Sequence, residues 1–200
     1  MSAEKPSIRH ATSDDVDTVA DLLAVAFGAL RATRWLVPHP TARATVLAGQ
    51  FRILAAHALN HGQVYLLTDF SAAAVWFDHT RPVPAPPDYD RRLDAACGRY
   101  VQRFVDLDTL LDNHHPRQVG HHHLALLGVS PARQGTGRGT ALLRTHHRVL
   151  DERALPAYLE ASSPTSRDLY ARHGYQAGAE FHLPDRTPFW PMWRKPATPP

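Results

Sequence analysis

The apolar positions of the first sixty residues recur with helical spacing. Val16, Val19, Leu22, Leu23, Ala26 and Phe27 are three or four apart and share one helical face. Ser13-Asp14-Asp15 precedes them with a capping residue and first-turn acids, and Gly28 follows as a stop. This predicts a helix over 13–27 behind a first strand at 7–10. Residues 31–40 carry Trp35 but no period, and read as irregular. The spacing resumes over 41–60 with Val46, Phe51, Ile53, Leu54 and Leu59, until His61-Gly62 ends it.

The pattern then shortens. Residues 63–68 and 72–77 are brief β-rich runs joined by a turn at Asp69 and Ser71, the signature of a hairpin. RPVPAPPDY, residues 81–89, holds four prolines and reads as a surface loop. A helix is predicted over 90–112 on Leu93, Val101, Phe104, Val105 and Leu110, then a loop over 113–120. From there strands at 122–129, 157–161, 175–183 and 189–194 alternate with helices at 139–153 and 165–173, before a frayed ending at 196–200. With no internal repeat and no long linker, residues 1–200 read as one α+β domain.

Composition narrows the class. At 44% hydrophobic and 20% charged residues, the chain is an ordinary globular protein. No apolar run nears the ~20 residues that cross a bilayer, so no membrane association is expected. MSAEKPSIRH lacks the apolar core of a secretory signal, and Cys97 alone excludes an intramolecular disulfide. A cytoplasmic location is the expectation. The net charge of +3 comes without a dense basic block, which argues against nucleic acid. The excess of arginine over lysine, with abundant alanine and proline, fits a coding bias.

GVSPARQGTGRGTALL, residues 128–143, places alternate glycines between a strand and a helix. A P-loop would need a lysine, which is absent. A dinucleotide fingerprint would need a third glycine where Thr140 stands. What remains is Gln134-x-x-Gly137-x-Gly139. Its amides over Gly135, Thr136, Gly137, Arg138, Gly139 and Thr140 can face an anion at a helix N-terminus, with Arg133 and Arg138 adding charge.

That stretch, with YLEASSPTSRDLYARHGY after it, resembles the GNAT superfamily of acyl-CoA-dependent N-acyltransferases. Gln134-x-x-Gly137-x-Gly139 matches its pyrophosphate signature, residues 124–129 its pantetheine strand, and LYARHGY at 169–175 its late L-Y-x-x-x-G-[FY] segment. IRHATSDDV, ATRW at 32–35, AAVWF at 73–77 and MWRKP are further similar to the puromycin N-acetyltransferase-like actinobacterial branch. The resemblance implies a GNAT fold: a mostly antiparallel, twisted sheet flanked by helices and splayed between its fourth and fifth strands, at 122–129 and 157–161. It implies acetyl-CoA as co-substrate, no metal, and a small-molecule amine as acceptor, such as an antibiotic or a biosynthetic intermediate. A carrier-protein donor, a protein amine or a non-catalytic acyl-CoA sensor are the alternatives, and the protein would be a monomer or homodimer.

The resemblance also assigns roles. Leu127, Gly128 and Val129 would bond pantetheine, Val129 N–H would meet the oxyanion, and Ser166 would reach the pantetheine arm. Tyr170 would hydrogen-bond the leaving thiolate. The general base is open between Glu160 and His123. Strand alternation puts His121 and His123 on one face and His122 on the other, so the three cannot converge on one ion; His114 and His115 could join them only if the loop returned. His121, Trp35 and Tyr65 are candidates for the acceptor wall. Trp76 and Phe77 read as core.

Overall fold

The computed structural model describes residues 6–197. The segment before Pro6 and the expected frayed residues 198–200 lie outside the described part. Eight strands form one sheet path, β1-β2-β3-β4-β5-β8-β6, with β7 added on β8. All pairs are antiparallel except β4 with β5. The first half of the path is β1 (Ile8–His10), β2 (Gly62–Leu67), β3 (Ala72–Asp78) and β4 (His122–Val129). The second half is β5 (Ala157–Ala161), β8 (Pro188–Arg194), β6 (Gln176–Ala177) and β7 (Phe181–His182).

Helices cover both faces, and the strands are sorted accordingly. Val64, Leu66, Ala73, Val75 and Phe77 meet α1 (Val16–Phe27) and α3 (Pro40–His61), with Leu23, Leu47 and Phe51 fully or nearly fully buried among them. Tyr65, Leu67, Ala72, Ala74 and Trp76 point the other way, onto Leu142, Leu143 and Leu150 of α6 (Arg138–Glu152). Strands buried on both faces read as continuous apolar runs, because neither face has to meet water. Each Leu-sized side chain so buried contributes about 1.5–3 kcal/mol.

Three expected elements change. Residues 31–36 form a short helix, α2 (Arg31–Leu36), after Thr33 Oγ1 donates to the carbonyls of Phe27 and Leu30. The helix expected at 90–112 is two, α4 (Tyr89–Cys97) and α5 (Val101–His114), parted at Gly98, where φ is +50°. The strand expected at 175–183 is the two short pieces β6 and β7, both held by β8. α7 (Pro164–Arg172) completes the set.

Two features shape the middle of the sheet. The β3–β4 register slips between Val75 and Trp76, which face Leu126 and Leu124, so Ala125 is an extra residue in β4. Such a bulge reverses the facing of all that follows it. Leu124 and Leu127 therefore both meet the α6 layer, while His123 and Leu126 share the opposite face. β4 and β5 then pair only at His122↔Ala157 and His123↔Tyr158. Beyond that point they separate, and among the described residues no strand pairs with 124–129 on the β5 side. Over the same stretch α1 lies flush on β4. A Cβ on Gly128 would stand 2.6 Å from Leu23 Cδ2 and 3.0 Å from Ala26 Cβ.

Candidate active site

The glycine loop ends β4 and opens α6. Gly135 and Gly137 have φ of +74° and +82°, with nothing within 4 Å of where a Cβ would stand. Backbone conformation, not crowding, therefore selects glycine there. Residues 133–137 are exposed at the N-terminus of a 15-residue helix, an arrangement suited to an anion. Gln134 turns inward, its Nε2 donating to the Val129 carbonyl at 3.3 Å. Arg138 is clamped: Nε donates to Ser71 Oγ at 2.7 Å, Nη1 to Thr136 Oγ1 at 2.7 Å and Nη2 to Asp69 Oδ2 at 3.0 Å. It braces the loop against the β2–β3 turn. Thr140 spends its hydroxyl on His173 Nε2 at 3.1 Å, which leaves its backbone for a ligand.

At the point where β4 and β5 part, the two alternative bases meet. His123 Nε2 and Glu160 Oε2 are 2.8 Å apart, with side-chain exposures of 16% and 7%. Oε1 of Glu160 is buried and has no hydrogen-bond partner among the described residues. A buried carboxylate oxygen left unpaired costs stability, so its position calls for a cationic or N–H ligand. Tyr158 and Glu160 face this side, whereas Leu159 and Ala161 face α6. Burial, reinforced by the Glu160 carboxylate, pushes the Tyr158 phenol up.

Behind the pair lies a nest of rings. His79, His115 and His123 present ligating nitrogens all within 4.8 Å of one another. His121 stacks on His79 at 5.3 Å, and its Nδ1–H donates to the Val119 carbonyl at 2.7 Å. Burial first, and neighbouring imidazoles second, push His79 down to about 4 and His115 down to about 3, so both are neutral near pH 7. Trp193 closes the nest against His121 and Tyr158, each at 5.1 Å. His79 and Trp193 had no local signal and are brought here by the sheet, while His115 arrives by the return of the α5–β4 loop.

Residues 74–175, just over half the chain, match the acetyltransferase (GNAT) family. The chain belongs to the GNAT family of acetyltransferases. It is similar over 97% of its length to 98% of a histone acetyltransferase HPA2-related acetyltransferase of Corynebacterium glutamicum, at 26% identity and a TM-score of 0.71. The fold also matches arylalkylamine N-acetyltransferase 2 of Aedes aegypti, at 12% identity and TM-score 0.62, covering 96% and 99% of the two chains. The ribosomal-protein-S18-alanine N-acetyltransferase of Escherichia coli gives 15% identity and 0.55, covering 98% and 97%.

GNAT acetyltransferases use acetyl-CoA as co-substrate, and this chain's residues fit such a molecule. The loop offers successive amides and an open space above two positive-φ glycines, and the parted strands offer an unpaired edge of β4. Leu127 and Val129 line that edge toward Gly139 of α6, 3.9 and 3.6 Å from its ideal Cβ. Tyr170 of α7 is 8% exposed, packed edge-on to Tyr175 at 5.8 Å, on the α6 side of the sheet. Burial pushes its phenol up, so it stays protonated.

Two expected site residues are placed otherwise. Ser166 belongs to the cap of α7: its Oγ accepts from Ser163 N at 3.1 Å and donates to the Ser163 carbonyl at 2.9 Å. A hydroxyl held in a capping box is not presented to the gap. Tyr65, expected on the acceptor wall, is 3% exposed on the α6 side, where its OH lies 3.1 Å from His146 Nδ1. It is core, because β2 is covered on both faces. Trp35 is half-buried on α2, with the Arg103 guanidinium 5.5 Å over its ring. Trp76 and Phe77 are buried, as core residues should be.

Proposed function

We propose that this chain is an acetyl-CoA-dependent N-acetyltransferase of a primary amine on a small molecule. The observation that carries the reading is Glu160. One carboxylate oxygen takes the Nε2–H of His123, and the other is buried and unpaired at the point where β4 and β5 part.

In this reading the acceptor's ammonium lies against Glu160 Oε1 and gives a proton to the His123–Glu160 pair. The neutral amine attacks the thioester carbonyl that acetyl-CoA supplies when bound. The backbone N–H of Val129 receives the oxyanion. As the C–S bond breaks, the amine loses its second proton and the thiolate gains one, releasing free thiol, amide and one net proton. Tyr170 donates a hydrogen bond to the departing sulfur. A protonated phenol suits that role better than full proton transfer, since a thiol pKa of about 8.5 lies below it. Gly128 and Val129, with Leu127, hold the pantetheine arm, and Gln134 to Thr140 hold the pyrophosphate.

A small acceptor is supported by what backs the pair. Rings of His79, His121, Tyr158 and Trp193 close the space beyond His123, leaving little depth for a polypeptide. Enzymes named for arylalkylamines and for a ribosomal-protein alanine share this fold, so the acceptor class is the point to test.

The test is thiol release from acetyl-CoA across a panel of small amines, peptides with free N-termini and carrier-protein acceptors, with products read by mass spectrometry. The reading predicts acetylated small amines and loss of about 10²–10⁴-fold in kcat for Glu160→Gln. Binding of acetyl-CoA without thiol release from any acceptor would instead mark a sensor.

A further inference from the structure

We propose that His79, His115 and His123 form a binding site for one divalent transition-metal ion of zinc type, and that filling it inhibits acetyl transfer. The second half rests on the acetyltransferase reading; the first does not.

The three residues come from separate places: His79 just after β3, His115 just after α5 and His123 in β4. Their ligating nitrogens lie within 4.8 Å of one another. A tetrahedral site with bonds of about 2.0–2.1 Å needs nitrogens about 3.3 Å apart, a contraction of roughly 1.5 Å that side-chain torsions supply. His115 Nε2 is buried with no hydrogen-bond partner among the described residues. Three imidazoles with an open fourth position are a zinc-type ligand set. Glu160 supplies the partner such sites carry, a carboxylate on a ligand histidine, 2.8 Å from His123 Nε2. A surface cleft of about 420 Å³ lined by Asn113, His115, Pro116, Arg117, Gln118 and Val119 gives an ion a way in.

No arginine or lysine contacts the three rings by hydrogen bond or salt bridge among the described residues, so no fixed cation occupies the centre. An ion there would take the lone pair of His123 and place a positive charge beside Glu160. The pair could then neither attract an ammonium nor accept its proton.

Cobalt(II) titration of chelator-treated protein tests the site directly. One equivalent should give the intense visible absorption of tetrahedral cobalt, and zinc should displace it. His79→Ala and His115→Ala should each weaken binding at least tenfold, and the double variant should abolish it. His57→Ala, on the separate His57–His61 pair of α3 whose rings lie 4.4 Å apart, should bind as the parent does. An absent band, or one that survives in the double variant, overturns the site. Stoichiometric zinc should suppress thiol release, with recovery on chelation. Binding that leaves turnover unchanged overturns the inhibition alone, while metal binding by a protein that acetylates nothing sinks the acetyltransferase reading and leaves the site standing.

Discussion

Lowering the pH from 7 to 5 should destabilise this protein through its buried histidines. His146 and His147 of α6 are 0% and 6% exposed. His146 stacks on Trp76 at 4.1 Å and links Tyr65 OH at 3.1 Å to His122 Nδ1 at 3.0 Å. The chain is satisfied when Tyr65 donates to a neutral His146 and His146 donates to His122. His147 Nε2 lies 3.0 Å from Tyr175 OH. Burial pushes His146 down to about 2 and His147 down to about 3, with neighbouring cationic or titratable groups adding to it. In the unfolded chain both return to about 6.5.

The folded pKa lies below the unfolded one, so below pH 6.5 the unfolded state binds more protons. The stability these groups contribute is complete above about 6.5 and drains away as pH falls toward their folded values. At pH 5 each has lost about 2 kcal/mol, about 4 kcal/mol together, against a typical domain stability of 5–15 kcal/mol. The local slope approaches about 2.7 kcal/mol per pH unit. His79, His115, His57, His121, His122 and His173 are also held down by burial and add to these two protons. Asp15, bonded by Arg9 and Thr12, is held far below this window, whereas burial pushes Asp108 up, a contribution of opposite sign that the His147 variant leaves unchanged. Urea denaturation followed by far-UV circular dichroism at pH 7.5, 6.5, 5.75 and 5.0 measures the slope. His147→Gln, which keeps a polar partner for Tyr175, should reduce it by about one proton, about 1.4 kcal/mol per pH unit. A slope of less than one proton below pH 6.5, or one unaltered in the variant, refutes the reasoning.

Three substitutions probe the reaction and its frame. Tyr170→Phe should lower kcat about 10²-fold while leaving acetyl-CoA affinity in place, measured by thiol release and calorimetry. Gly137→Ala, at φ of +82°, should strain the loop by about 1–2 kcal/mol and raise the acetyl-CoA Kd, seen in the same calorimetry. Gly128→Ala pushes a methyl group to 2.6 Å from Leu23 Cδ2; separating α1 from β4 should cost about 1–3 kcal/mol and lower the thermal midpoint.

The long helices and the hairpin were legible because their signals are local: a 3.6-residue period with caps, and two short apolar runs about a turn. What failed also failed for local reasons. Residues 31–36 are too short to show a period, and their helix is fixed by Thr33 reaching back to Phe27 and Leu30. Gly98 parts the helix expected at 90–112, but the apolar spacing continues across it and hides the break. Tyr65 could not be assigned a face, since both faces of β2 are apolar.

The same division runs through the site. The proposed donor end is made of backbone, and backbone conformation is written in consecutive residues: Gly135 and Gly137 supply the left-handed turns and the helix behind them supplies the field. A dozen residues suffice to read it. The proposed acceptor end is made of side chains from the end of β3 onward, the α5–β4 loop, β4, β5 and β8, brought together only by the sheet. Its facing depends on one extra residue, Ala125, whose bulge no alternation rule reveals because it sits inside an unbroken apolar run. His121 and His123 were placed on a shared face only because they precede that bulge. Counted from the Gly128 end, strict alternation would have put His123 on the wrong side of the sheet, away from Glu160. In the proposed reading, specificity therefore resides in the part of the fold whose sequence signal is weakest, and the His123–Glu160 contact follows from register.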